Sequence, residues 1–90
     1  MNPWLRKSEL TRKEVAQIME DFLSGSGEPL AWDGFTLGMT FEDPELEDIR
    51  LRCAGLTAEF PPTQPNHYCS EHGLAIIRGY IQLLRGLPIR

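Results

Sequence analysis

Ninety residues, 41% of them apolar, make one domain with no room for a second core. The net charge of −4 argues against binding a nucleic-acid backbone, which needs clustered Lys and Arg, and no window is apolar enough to span a bilayer. Two cysteines are too few for a disulfide framework and MNPWLRKSEL lacks the apolar run of a signal peptide, so the expectation is a cytoplasmic chain with reduced thiols.

Residues 1–9 read as a flexible N-terminal segment ahead of a single helical domain. The first predicted helix follows Thr11. Thr11 and Glu14 have capping-box spacing, and Leu10 and Val15 have that of a hydrophobic staple. Val15, Ile18, Met19, Phe22 and Leu23 mark one apolar face, and Gly25 suits the left-handed residue that ends the helix.

Residues 24–42 then carry Trp32, Phe35, Leu37, Met39 and Phe41, too much apolar surface for a slack linker. A helical turn near Asp33 and a short strand through the alternating Phe35, Leu37, Met39 and Phe41 both fit the pattern. A lone strand has no partner in this reading, so the expectation is an ordered aromatic loop.

The second predicted helix opens at Asp43-Pro44, an N-cap followed by a proline where no amide hydrogen is needed. Leu46, Ile49 and Cys53 line one face, and Gly55 reads as the stop. Asp48 and Arg52 have i, i+4 spacing, worth about 0.3 kcal/mol on an exposed face. Arg50 has Glu59, Glu71 or a partner's carboxylate as candidate counter-ions. Residues 57–69 hold Pro61, Pro62 and Pro65 and should be extended and stiff. The third predicted helix starts after Ser70 and stops at Gly86 and Pro88. Leu74, Ile76, Ile77, Tyr80, Ile81, Leu83 and Leu84 cover most of it, so it is expected at the centre of the core. Gly79 inside it suggests a close helix crossing. The same broad apolar face leaves a homo-oligomer open, since a second subunit could cover it. The fold class read from these elements is all-α: a small three-helix bundle with a long ordered aromatic loop between helices one and two.

Trp32-Asp33-Gly34-Phe35, the run Asp43-Pro44-Glu45-Leu46-Glu47-Asp48-Ile49-Arg50, Pro61-Pro62 and Tyr68-Cys69-Ser70 together resemble a family of small uncharacterised bacterial proteins. Its pattern is a helix, a W-D-x-F loop, a D-P-x-L-x-x-I-R helix, a proline segment and a final helix. The resemblance spans about residues 10 to 86. It implies a fold and carries no activity. Gly34 stands where the pattern leads one to expect an acidic or polar side chain.

Charge is segregated. Residues 14–48 contain ten Asp and Glu and no Lys or Arg, while residues 1–13 and 49–90 each sum to +3. An acidic face of this kind steers a basic protein partner. The candidate partner-contact residues are Trp32, Asp33, Glu42, Asp43, Glu45, Glu47, Asp48 and Arg50. Trp32 reads more readily as a core anchor for the loop, with Asp33 capping a turn, than as a recognition surface; Asp43, Glu45 and Glu47 also suit capping and the helix dipole. The function expected is a non-catalytic protein-binding module, inhibitor-like or immunity-like, with no cofactor.

A rival comes from Cys53, His67, Cys69 and His72, which are zinc-ligand types in no familiar finger spacing. Cys69 also lies near a helix start, where the dipole lowers a thiol pKa and a histidine could act as base. The plainer reading is a core cysteine with surface histidines. The basic cluster Arg6, Lys7, Arg12 and Lys13 is too small for useful nucleic-acid affinity at physiological salt.

Overall fold

Local capping signals decide where the main helices begin. The computed structural model describes residues 6–25, 31–64 and 67–86. After a short strand β1 (Arg6–Lys7), helix α1 (Arg12–Ser24) opens on the full capping box. The Glu14 amide donates to the Thr11 hydroxyl at 3.2 Å, and the Thr11 amide donates to the Glu14 carboxylate at 2.9 Å. Leu10 packs on the core as the staple requires. Gly25, at φ 72°, ends the helix with its N–H directed at the Asp21 and Phe22 carbonyls.

The next segment departs from the expected loop. Residues Ala31–Leu37 form a helix, α2, and Met39–Thr40 form a strand, β2. The described residues therefore hold four helices rather than three. Nothing in the composition of α2 favours a helix of seven residues, and Gly34 weakens it. Burial of Trp32, Phe35 and Thr36 holds it in place. Strand β2 has a partner after all: β1 pairs with it in parallel, Arg6 opposite Met39 and Lys7 opposite Thr40. Ser8 adds an N–H bond to the Thr40 carbonyl at 2.7 Å. Residues 6–8 are thus fixed against the body instead of forming a free lead.

Helix α3 (Pro44–Glu59) opens as expected, with the Asp43 carboxylate accepting the Glu45 amide at 2.9 Å. It does not stop at Gly55. Continuing one more turn buries Leu56 completely, and that gain of about 1.5–3 kcal/mol exceeds the roughly 1 kcal/mol cost of a helical glycine. Phe60 caps the end. Helix α4 (Glu71–Leu84) follows Ser70, whose backbone has the extended shape of an N-cap although its hydroxyl makes no capping bond. Gly86, at φ 71°, ends it.

The fully buried core draws on every helix: Val15, Ala16 and Met19 from α1, Phe35 from α2, Cys53 and Leu56 from α3, and Ile77 from α4. Helix α4 is not the centre. Leu74, Ile76, Tyr80 and Ile81 are only partly covered and Leu83 is 40% exposed. A helix apolar nearly all round cannot be enclosed by so few neighbours in so small a domain. Gly79 has no described atom within 4 Å of where a Cβ would stand, so it marks no close crossing. Gly73 is the tightly packed glycine of this helix: a Cβ there would lie 2.6 Å from the Sγ of Cys69, just ahead of the helix start.

Candidate functional site

The acidic residues of the middle third divide into two sets with different chemistry. Glu47 turns inward. Its carboxylate accepts the Phe41 amide at 3.0 Å and two bonds from Arg50, from Nε at 2.8 Å and Nη2 at 2.6 Å. The third arm of the guanidinium, Nη1, donates to the Thr36 carbonyl at 2.7 Å. Arg50 is 6% exposed. One buried fork therefore joins α3, the end of α2 and the residue after β2, which is a structural clamp. The hydrogen bonds from Arg50 hold the Glu47 carboxyl below its usual pKa, against a smaller opposing effect of burial. The i, i+3 spacing of Glu47 and Arg50 was the available signal for this pair; Glu59 and Glu71 are taken by Arg52 and Arg78.

Glu42, Asp43, Glu45 and Asp48 face outward at the start of α3, and the chain's own basic end meets three of them. Lys7 pairs with Glu42, and Arg12 reaches Asp43 at 2.9 Å and also pairs with Glu45. The hydrogen bond from Arg12 lowers the Asp43 pKa, and that from Lys7 lowers the Glu42 pKa. These pairs are exposed or half-exposed, so solvent screens them, each contributes little to stability, and they exchange readily. Asp48 is exposed on the same helix, and Arg52 pairs with Glu59 rather than with it. Elsewhere Glu20 pairs with Arg85, Asp21 accepts the Gln17 amide and Glu14 serves the α1 cap. Glu28 lies outside the described residues. The nine described carboxylates of this stretch therefore do not form one continuous free patch.

Trp32 is placed inside. It stacks on Phe22 with ring centroids 4.0 Å apart and meets Tyr68 edge-on at 5.5 Å. Its indole N–H is buried without a partner in hydrogen-bond geometry among the described residues. Asp33 is exposed on α2.

The four zinc-type residues are not gathered. Among the described residues no three His, Cys, Asp or Glu side chains are placed to hold a metal ion. His72 is exposed and stacks on Phe60, and both thiols are fully buried. Burial pushes the Cys53 thiol up to about 12, with nearby Cys69 adding to the shift, and burial raises Cys69 as well. Burial opposes the helix-start argument for an activated Cys69, because removal from water disfavours the thiolate. We expect iodoacetamide at pH 8 to leave both thiols unmodified in the folded protein and to alkylate both in denaturant, as read by intact mass. Because the folded-state thiol pKa values lie above the unfolded ones, the proton-linked stability is complete below about pH 8.5 and declines as pH rises from there towards 12.

No family model matches the chain, and no curated protein or solved structure does either. No helix among the described residues is long and apolar enough to cross a membrane.

Proposed function

We propose that this protein is a non-catalytic binding module for a basic protein surface, acting as an inhibitor or immunity-like protein does, by occlusion. The observation that supports the reading is the cluster of outward carboxylates Glu42, Asp43, Glu45 and Asp48 at the head of α3. Their cis partners, Lys7 and Arg12, are exposed to similar degrees. A partner lysine or arginine that takes the place of Lys7 exchanges one exposed ion pair for another, at little net cost, and desolvation at the interface strengthens the new one. Trp32, Glu47 and Arg50 serve this face indirectly, by fixing the ends of α2 and α3.

Immobilised protein should capture a basic protein from native lysate at low salt and release it as ionic strength rises, because screening weakens contacts between exposed charges. Salt-independent capture, or none, contradicts the steering mechanism.

A further inference from the structure

An open cavity of about 620 Å³ lies between the C-terminal turn of α1 and the first half of α4. Its size is that of small-molecule sites, roughly 300–1,000 Å³. Phe22, Leu23, Tyr68 and Leu74 supply apolar wall, and His67 and Arg78 supply the polar side chains that matter here. The aromatic wall is pre-formed. Phe22 is backed by the buried Trp32 ring, and Tyr68 meets Phe22 edge-on at 5.5 Å and 87°. The Tyr68 hydroxyl is engaged elsewhere, donating to the Cys53 and Ala54 carbonyls, so this residue offers its ring.

Among the cavity's described lining residues the charge runs against that of the chain. No carboxylate stands among its described lining residues, although the protein carries a net −4, and Arg78 brings a full positive charge. The ion pair of Arg78 is a loose one, to Glu71 at 3.9 Å with both side chains more than half exposed. Its guanidinium therefore keeps donors for a ligand, and its planar fork matches a carboxylate.

We propose that this cavity binds a small monocarboxylate with a flat aromatic body, the carboxylate on Arg78 and the ring against Phe22 and Tyr68. This site is independent of the acidic face of α3. The test titrates the full-length protein with 2-naphthoate and with its neutral counterpart 2-naphthalenemethanol, followed by amide NMR. Saturable shifts should centre on Leu23, Gly25 and Leu74. Naphthoate should bind about fivefold tighter than the alcohol, the worth of one partly exposed ion pair. Arg78→Gln, at an exposed position that leaves the fold intact, should abolish that preference and keep the alcohol's affinity. Absent or scattered shifts, equal affinities of the two compounds, or a preference that survives Arg78→Gln would each overturn the assignment.

Discussion

Arg50→Ala should cost about 3–5 kcal/mol of folding stability at 25 °C. The expectation follows from what the substitution strands. The Glu47 carboxylate loses both donors from Arg50, and the Thr36 carbonyl at the end of α2 loses its partner. Removing one member of a buried pair leaves an uncompensated charge, which is far more expensive than losing an exposed pair. A native domain has about 5–15 kcal/mol in total, so the loss is a large share of its margin. Arg12→Ala, at an exposed fork, should leave stability almost unchanged. Denaturant midpoints compare the two directly. A pH series adds a second readout. The folded-state pKa of Glu47 lies below its usual 4.5, so its stabilising effect is present above that value and is lost as pH falls below it. Arg50→Ala should flatten this acid limb.

Gly73→Ala should destabilise by about 1–3 kcal/mol, whereas Gly79→Ala, two turns along the same helix, should stabilise by up to about 1 kcal/mol. At Gly73 the new methyl would meet the Cys69 Sγ at 2.6 Å and its Cβ at 3.1 Å. Cys69 is fully buried and its Cβ is fixed to the backbone, so the thiol cannot simply swing away. Overpacking of this kind moves backbone and outweighs the helix propensity gained. At Gly79 no described atom is in the way, and the ordinary preference of a helix for alanine acts alone. Thermal unfolding of the two variants should move in opposite directions. A common sign would contradict the assignment of Gly73 as the close-packed glycine.

The parts of the fold that could be read from the chain are those set by neighbours in sequence. The Thr11–Glu14 box, the Asp43-Pro44 start and the glycines at 25 and 86 are local devices, and each acts as expected. Helix α2 escaped because no cap announces it and Gly34 argues against it; only burial of Trp32 and Phe35 makes it form. The pairing of β1 with β2 depends on residues 33 positions apart, Arg6 with Met39, which no local pattern encodes. The same limit applies to the site. Charge segregation pointed to the head of α3, and Glu42, Asp43, Glu45 and Asp48 do lie outward there. It gave no means to tell Glu47 from its neighbours, because its inward turn depends on Phe41 and Arg50 together. Nor did it show that Lys7, in a segment expected to be free, and Arg12, at the start of α1, would cover part of the face.

This division of the acids between an inward clamp and an outward face has a direct test in the triple variant Glu42→Gln, Glu45→Gln, Asp48→Asn. Calorimetric titration with the captured basic partner should show affinity reduced at least tenfold, while the denaturant midpoint stays close to that of the parent. Unchanged affinity with an unchanged midpoint would contradict the account, because the outward carboxylates would then be a solvated surface without a docking role.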